Sequence, residues 1–340
     1  MAKRVRLKED RGDGGNYFAD PDKEGVDFIS SGSKLLDLAL GGGGWAENRI
    51  ANIVGDKSTG KSLLCIEACV NFAFKYPKGK IRYREVESAF DQGYAAALGM
   101  PVDRVDFGDE QINTVEELFD DLSSIVSGAK HNELVIVDSL DAISDEAEMS
   151  RDLSQGSYGA EKAKKMSQLF RRLTRDMAHK HVTLIIVSQV RDKINAMFGR
   201  KTTRSGGRAL DFYASQVLYL AHLGTINKTV RGMKRPIGVK VKAKVDKNKV
   251  GLPFREAEFQ IRFGYGVDDI QACVDWLTEA KMTKELGLTK DEAKDYLSVL
   301  LNMSVEDADA EVARLHSLVG QAWREMDMKV LPARSKYGAR

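Results

Sequence analysis

The sequence predicts an α/β fold in which helices cover a mostly parallel, twisted sheet, with an antiparallel extension and a small helical domain at the C-terminal end. From Ile50 onward, short apolar segments typical of strands alternate with amphipathic helical segments, as in βαβ units. From about Ser215 the pattern changes to consecutive strands, which usually extend a sheet by antiparallel pairing. From about Asp268 the pattern is helical. These observations set the predicted order of the elements.

Each element is predicted from its own segment of the chain. The first 30 residues are polar, and the alternating segment 4–7 predicts an isolated strand that needs a partner. Parallel strands are predicted at 50–54, 81–86, 134–137 and 183–187, with helices at 61–74, 115–127 and 161–178. Later strands are predicted at 215–221, 237–245 and 257–263, and the last helices at 270–280, 290–301 and 305–324. We therefore predict an N-terminal strand and linker at 1–30, a core at 31–267, and a helical domain with a basic tail at 268–340.

The composition is that of a soluble globular protein. Charged residues make up 30% of the chain and hydrophobic residues 43%, and the net charge of +2 means that any nucleic-acid surface has to come from local clusters. The three cysteines, Cys65, Cys69 and Cys273, are too few for a disulfide framework and suit a reducing compartment. The sequence contains neither a signal-peptide core nor an apolar run of the roughly 20 residues that span a membrane. We expect a cytoplasmic protein without membrane contact.

Residues 55–62 read GDKSTGKS and match the phosphate-loop pattern GxxxxGK[ST] between a predicted strand and a predicted helix. Backbone N–H groups of such a loop, with the positive end of the helix, surround nucleotide phosphates. Lys61 is expected to reach the β- and γ-phosphates, and the Ser62 hydroxyl to bind Mg²⁺. The expected nucleotide-binding residues of the loop are Gly55, Asp56, Lys57, Ser58, Thr59, Gly60, Lys61 and Ser62.

Three acidic residues at strand ends are candidates for the chemistry. Asp138 ends an apolar strand, where phosphate-loop proteins hold Mg²⁺ with a carboxylate. Glu87 lies at the end of strand 81–86, where a carboxylate can accept a proton from an attacking water. Glu85 lies on the same face two residues earlier and is the alternative base. Both glutamates are also compatible with solvated charges at a strand end.

A basic segment follows the predicted strand 183–187. Residues 191–208 contain six basic residues and three glycines, which suits contact with DNA phosphates. Met197 and Phe198 are apolar within this polar loop and could stack on bases or wedge between them. The alternative is a flexible surface loop with a hydrophobic anchor. Farther along, Lys242 and Lys244 alternate with apolar residues and therefore share one strand face, which is also compatible with a solvated edge strand.

Several longer stretches, in matching order and spacing, resemble the RecA recombinases of bacteria and phages over residues 4–268. They are ISSGSKLLDLALGGGG before the phosphate loop, EVESAFDQGYAAALG and VIVDSLDAIS after it, and then MSQLFRRL, VSQVRDKINAMFG, SGGRALDFYAS and KNKVGLPFREAEFQI. The resemblance implies a RecA-like ATPase core that uses ATP and Mg²⁺. It also implies that the N-terminal strand serves in polymerisation.

The resemblance assigns roles around the nucleotide. Glu87 matches the catalytic glutamate of the family, and Asp91 and Tyr94 match positions that contact and stack on adenine. Gln189 matches the residue that senses the γ-phosphate and couples it to the DNA loop. Lys247 and Lys249 match two lysines that reach the ATP site of the adjacent subunit, where they resemble an arginine finger supplied in trans. Without the resemblance, these two lysines are compatible with a solvated basic strand.

The resemblance also assigns DNA contacts. Residues 191–208 match the second DNA-binding loop, and its expected contacts are Arg191, Met197, Phe198, Arg200, Gly206, Gly207 and Arg208. A first DNA loop is expected near residues 148–159, and Ser167 and Arg171 match contacts to the DNA backbone. Lys242 and Lys244 match a secondary site for the incoming duplex or displaced strand.

One buried cation departs from the family pattern. Arg84 stands where the family has an apolar residue, and a buried arginine needs a partner. Glu85 and Glu67 are the expected candidates.

The sequence therefore predicts a DNA-dependent ATPase that forms helical filaments on single-stranded DNA and promotes pairing and strand exchange with homologous duplex DNA in recombination and repair. A single-strand-binding protein and a filament loader are the expected protein partners. A hexameric helicase or motor with the same core is the enzymatic alternative. A filament-forming regulatory module that uses ATP only as an assembly switch is the alternative from another class.

Overall fold

A central sheet of ten strands organises the chain in the computed structural model, which describes residues 26–144, 159–177, 180–192, 202–204 and 207–330. Two short strands form a separate pair, β1 (Phe28–Ile29) and β2 (Trp45–Ala46). The sheet contains β3 (Ile50–Gly55), β4 (Lys80–Glu85), β5 (Val105–Asp106), β6 (Glu133–Asp138), β7 (Val182–Asp192), β8 (Thr202–Arg204), β9 (Gln216–Val230), β10 (Met233–Asn248), β11 (Glu256–Arg262) and β12 (Gly266–Asp268).

Helices lie between these strands and dominate the end of the chain. In chain order they are α1 (Lys34–Ala39), α2 (Lys61–Lys75), α3 (Gln92–Ala97), α4 (Val115–Gly128), α5 (Gly159–Met177), α6 (Gly207–Tyr213), α7 (Asp269–Glu279), α8 (Thr283–Leu286), α9 (Tyr296–Leu300) and α10 (Val305–Val330). Among the described residues, no helix is both long and apolar enough to cross a membrane.

The sheet is parallel in its first half and antiparallel in its second, as the sequence predicts. The strand order is β12-β11-β10-β9-β3-β7-β6-β4-β5, with β8 paired to β7. The strands from β9 to β5 in this order run parallel to one another, whereas β10, β11 and β12 add in antiparallel fashion. Gly55 pairs with Gln189, and Glu85 pairs with Asp138. This register brings the phosphate loop, Gln189 and Asp138 to one edge of the sheet, where the parallel strands end.

Apolar side chains fill both faces of the sheet. One face packs against α1, α2 and the C-terminal helices around the fully buried Trp45, Phe72 and Tyr83. The other face packs against α4, α5 and α6 around residues such as Phe170. The strands β3 and β6 are buried at every position, which explains why most of their residues are apolar. The three cysteines are buried and free, as expected for small apolar residues in a core.

The partner predicted for Arg84 is wrong. The Arg84 side chain is buried, its Nε lies 2.8 Å from Asp121 Oδ2, and its Nη1 lies 3.2 Å from Asp106 Oδ1. Glu67 instead accepts a hydrogen bond from the backbone N–H of Val267, and Glu85 accepts hydrogen bonds from the turn that follows its own strand. The true partners come from α4 and β5, which the folded sheet brings over β4.

The helix predicted at 290–301 is interrupted. Residues Glu292–Lys294 form a 3₁₀ turn, and α9 begins at Tyr296. Asp295 between them is not helical, with φ −150° and ψ 63°. Its carboxylate accepts hydrogen bonds from Arg262 Nη2 (2.7 Å) and from the Ser298 hydroxyl (2.7 Å). These tertiary and capping contacts outweigh the helical propensity of the segment.

Candidate nucleotide-binding site

The phosphate loop joins the end of β3 to the first turn of α2. Gly60 precedes the helix with φ 88°, and a Cβ placed there would lie 2.3 Å from Ile261 Cδ1. Only glycine satisfies both conditions at this position. The Thr59 hydroxyl donates to the carbonyl of Asp56 (2.8 Å), which closes the loop on itself. Asp56, Lys57 and Ser58 are exposed at its tip.

Lys61 is the first residue of α2, and its side chain reaches back to the loop. Its Nζ donates to the carbonyl of Asp56 (2.7 Å), so the ammonium lies over the space that the loop encloses. Burial lowers the pKa of Lys61, while the nearby carboxylates of Asp138 and Glu87 act in the opposite direction. A lysine ammonium held at the phosphate loop is suited to contact a polyphosphate.

Asp138 ends β6 beside α2. Its Oδ2 accepts a hydrogen bond from the Tyr83 hydroxyl (2.8 Å), and the Ser62 side chain hydrogen-bonds to the same carboxyl group. Burial raises the pKa of Asp138, and these two hydrogen bonds partly oppose that shift. Hydroxyl and carboxylate oxygens are the ligands that Mg²⁺ prefers, and the adjacent Ser62 and Asp138 supply one of each. These residues therefore fit the predicted Mg²⁺ site.

Glu87 and Glu85 have different neighbours. Glu87 Oε1 accepts hydrogen bonds from the Ser139 hydroxyl (2.5 Å) and from Gln189 Nε2 (2.8 Å). Glu85 Oε1 instead accepts the backbone N–H groups of Glu87 (2.9 Å) and Ala89 (3.1 Å). Glu85 therefore holds the turn, whereas Glu87 belongs to a polar group shared by the ends of β4, β6 and β7. This arrangement favours Glu87 as the catalytic base.

A cleft of about 210 Å³ joins the predicted residues. It is lined by Ser62, Glu87, Asp91, Tyr94 and Asp138, among others. Asp91 caps α3 by accepting the backbone N–H of Tyr94 (2.9 Å), and the Tyr94 side chain is 41% exposed. An exposed aromatic ring at the mouth of a cleft offers a surface on which a base can stack.

Lys247 and Lys249 lie away from the phosphate loop of their own chain. Lys247 pairs with Val217, which pairs with Asn52 in the first half of β3. The Lys247 Nζ donates to the carbonyls of Asp211 (2.5 Å) and Phe212 (2.8 Å) at the end of α6, and the Lys249 side chain is exposed. The fold thus places these two lysines away from the phosphate loop of their own chain, whereas the other candidate catalytic residues lie close to that loop.

The predicted DNA-binding residues lie on several elements. Arg191 lies near the end of β7, and Gly207 and Arg208 begin α6. Met197, Phe198, Arg200 and Gly206 lie outside the described residues, as does the first predicted loop up to α5. On α5, Arg171 is exposed, and the Ser167 hydroxyl donates to the carbonyl of Ala163 (3.0 Å).

Lys242 and Lys244 share a face of β10, as predicted, but β10 is not an edge strand. It lies between β9 and β11, and the neighbouring strand β11 carries Glu256 and Glu258 on the same face. Lys242 Nζ lies 2.6 Å from Glu256, and Lys244 Nζ lies 3.7 Å from the same residue. Acidic side chains therefore balance the charge of this face.

Some contributors to the site were missed at the level of sequence. Ser139 directly follows the predicted Asp138, so its position in the sequence could have indicated that it lies in the site. Tyr83 lies inside an apolar strand, and nothing in its spacing indicates that its hydroxyl reaches Asp138. Asp141 accepts the backbone N–H of Gln189 (2.5 Å) and thereby holds β7 against the turn after β6.

A second group of metal-ligand type lies at the C-terminal helices. Asp269, Cys273 and His316 bring their ligand atoms within 4.8 Å of one another. Asp269 already accepts the backbone N–H of Lys34 (2.6 Å) and contacts His316 Nε2 (2.5 Å). These contacts join α1, α7 and α10, so packing of the three helices explains why the three side chains lie together.

Sequence comparisons with known proteins identify relatives of this chain. A sequence model described as the RecA N-terminal domain matches residues 11–268. The Protein RecA of Bacteroides thetaiotaomicron is 34% identical over 275 residues, which cover 79% of this chain and 79% of that protein. The Protein RecA of Lactococcus lactis subsp. cremoris is 33% identical over 310 residues, covering 86% of this chain and 77% of that protein. The Protein RecA of Streptomyces venezuelae is 32% identical over 296 residues, covering 82% and 74% respectively. The chain therefore belongs to the RecA family.

Proposed function

We propose that this chain is an ATP-hydrolysing DNA recombinase, a DNA-dependent ATPase that forms helical filaments on single-stranded DNA and catalyses pairing and strand exchange with homologous duplex DNA. ATP and Mg²⁺ are its cofactors in this proposal. A single-strand-binding protein and a loader act on the same DNA substrate and are its proposed protein partners. Membership of the RecA family supports a role in DNA recombination and repair.

The hydrogen bond from Gln189 Nε2 to Glu87 Oε1 (2.8 Å) carries the proposal. Gln189 lies on β7, which leads into the predicted DNA loop, whereas Glu87 lines the nucleotide cleft. One contact therefore links the proposed catalytic base to the strand that ends at the DNA loop. In the proposed mechanism, forming or breaking this contact transmits a change at one site to the other.

Each residue around the cleft has a separate role in the proposed hydrolysis. Lys61, which here donates to the Asp56 carbonyl, would contact the β- and γ-phosphates, and Ser62 and Asp138 would hold the metal. Mg²⁺, when bound, neutralises charge that develops on the phosphate oxygens. Glu87, oriented by Ser139 and Gln189, accepts the proton of the attacking water. Asp91 and Tyr94 position the base of the nucleotide.

The proposal is tested by adding single-stranded DNA and a slowly hydrolysed ATP analogue to the purified protein and examining the product by electron microscopy. Open helical filaments are expected, together with ATP hydrolysis that requires single-stranded DNA and exchange of a labelled strand into homologous duplex. Closed rings that unwind duplex DNA would point to a helicase instead. Filaments that form with ATP but neither hydrolyse it nor exchange strands would point to a regulatory assembly.

A further inference from the structure

The hairpin of β9 and β10 extends beyond the rest of the sheet. On one side, β3 pairs with β9 only as far as Leu220. On the other side, β11 pairs with β10 only from Gly238 onward. Residues 227–236, which we call the basic ribbon, therefore pair only with each other, from Pro236↔Asn227 to Met233↔Val230. All ten of these residues are exposed.

The basic ribbon has an unusual charge pattern for a pair of strands. It contains four cationic residues and no acidic residue, namely Lys228, Arg231, Lys234 and Arg235. Lys228 lies directly opposite Arg235, and two like charges in such a pair destabilise a hairpin. A compact fold gains nothing from this arrangement, so the positive charge is better explained by a ligand that neutralises it.

The part of β10 that pairs with β11 differs from the basic ribbon, because its lysines have acidic partners. Lys240 and Lys242 lie beside β11, where Glu258 and Glu256 pair with them at 3.0 and 2.6 Å. The basic ribbon begins where β11 has ended, so no strand supplies an acidic partner there. Within the part of the chain that the structure describes, none of its four cations forms an ion pair, and Lys228 acts on Asp295 only at longer range.

The direction of the basic ribbon is set by the parallel pairing of β9 with β3. Leu220 pairs with Gly55, the first residue of the phosphate loop, and β9 continues in the same direction. The ribbon therefore leaves the sheet by the edge that carries the nucleotide cleft, and β7 leads to the predicted second DNA loop at that edge. Its four residue pairs give it a reach of roughly 14 Å.

We infer that the basic ribbon binds the phosphate backbone of the duplex DNA that a filament engages for strand exchange. The inference rests on the proposed function, which brings a duplex to this edge of the molecule. A two-stranded ribbon fits the major groove, which is about 12 Å wide. Contacts to phosphates carry no sequence information, as an exchange reaction on any sequence requires. This surface is separate from Lys242 and Lys244, whose charge Glu256 and Glu258 already balance.

The test compares duplex binding by two triple variants with that of the unaltered protein. Lys228→Gln/Lys234→Gln/Arg235→Gln removes three exposed charges of the ribbon and keeps Arg231, which has a positive φ in the turn. The control, Lys78→Gln/Lys80→Gln/Lys130→Gln, removes three exposed charges near the amino ends of β4 and β6, at the opposite edge of the sheet. Thermal unfolding verifies that both variants fold, and a salt titration of fluorescence anisotropy measures affinity for a labelled duplex.

The ribbon variant is expected to bind duplex at least tenfold more weakly at low salt, with the slope of log affinity against log salt reduced by up to about 2.7, or about 0.9 per lost phosphate contact. The control variant is expected to match the unaltered protein. Equal duplex affinity and slope in the ribbon variant would overturn the inference. If the ribbon variant alone loses duplex binding while even the unaltered protein fails to exchange strands, the ribbon assignment stands and the proposed function is wrong.

Discussion

At the scale of single residues, Glu85 and Glu87 show how two similar side chains acquire different roles. They lie two positions apart, and the position of Glu87 nearer the strand end favoured it only modestly until the resemblance strengthened that choice. The backbone N–H groups of Glu87 and Ala89 occupy the Glu85 carboxylate, whereas side chains from two other strands contact Glu87. The distinction arises from the turn and from the strand order, neither of which a linear pattern reveals.

Glu87→Gln is expected to lower DNA-stimulated ATP hydrolysis by about 10²-fold or more, the usual scale for the loss of a general base. Binding of ATP is expected to persist, because Lys61, Ser62 and Asp138 remain. Steady-state hydrolysis and equilibrium binding of a fluorescent nucleotide measure the two effects separately.

Glu85→Gln is the matched control, since the amide oxygen can still accept the backbone hydrogen bonds of the turn. It is expected to keep most of the hydrolytic activity. Loss of hydrolysis in Glu85→Gln together with normal activity in Glu87→Gln would show that the wrong carboxylate was chosen.

Arg84 marks a limit of prediction at the same scale. The sequence indicates that a buried arginine needs a carboxylate, yet the partners lie 22 and 37 positions away on elements that only the fold brings together. Short-range candidates such as Glu85 were already engaged in other hydrogen bonds. The need for a partner could therefore be predicted, but its identity could not.

Asp121→Ala is expected to lower the free energy of unfolding by about 2 kcal/mol, because it leaves the buried Arg84 guanidinium without its main partner. Asp120→Ala, at the exposed neighbouring position on the same helix, is the control and is expected to change stability by less than about 0.5 kcal/mol. Chemical denaturation of both variants measures the difference. Equal effects of the two substitutions would show that the Arg84 pair contributes little.

At the scale of elements, strand cores were predictable and strand ends were not. The apolar run 183–187 predicts the buried part of β7, but the strand continues to Asp192, and its last three residues pair with β8. Likewise β9 and β10 extend far past their apolar segments, because each supplies hydrogen-bond partners for the other. Apolar spacing indicates what is buried in the sheet, while the length of a ribbon depends on backbone pairing.

The short helix α1 carries a titratable group that is expected to make stability depend on pH. Burial raises the pKa of Asp37 to about 6, although hydrogen bonds from Ser30 and Ser31 oppose the shift. Between pH of about 4 and about 6 the folded state therefore binds more protons than the unfolded state. Stability contributed by this group consequently falls as the pH rises through that range, by about 3 kcal/mol in total.

Asp37→Asn removes the titration and keeps a side chain of the same shape. The free energy of unfolding of the unaltered protein, minus that of Asp37→Asn, is expected to decrease between about pH 4 and pH 7. Urea denaturation at several pH values measures this difference. A difference that stays constant or increases with pH would contradict the raised pKa.

At the scale of the whole molecule, the sequence predicted the mixed sheet and the family, and the strand register accounts for the site. The ends of β3, β7, β6 and β4 lie side by side, so residues separated by many positions surround one cleft. The same register places Lys247 and Lys249 away from that cleft in their own chain. A role for these lysines in hydrolysis therefore requires the cleft of another subunit, as the resemblance implies.

A mixing experiment tests this assignment. A variant with Lys247→Ala and Lys249→Ala is expected to be inactive alone, and so is Lys61→Ala, which lacks the phosphate-loop lysine. Filaments that contain both are expected to regain part of the DNA-stimulated ATPase, because some interfaces pair an intact phosphate loop with intact lysines from the neighbouring subunit. Steady-state hydrolysis across a range of mixing ratios measures the recovery.

The contacts of Lys247 inside its own chain supply the alternative that the mixing experiment has to exclude. Its ammonium group holds the carbonyls of Asp211 and Phe212 at the end of α6, so its removal could act by loosening that helix. A purely structural defect would stay with each altered subunit and would not be rescued by a partner with a defective phosphate loop. If co-assembly is demonstrated and no ATPase returns at any ratio, the lysines do not act across the interface, and the contact of Lys247 with α6 accounts for the loss of activity.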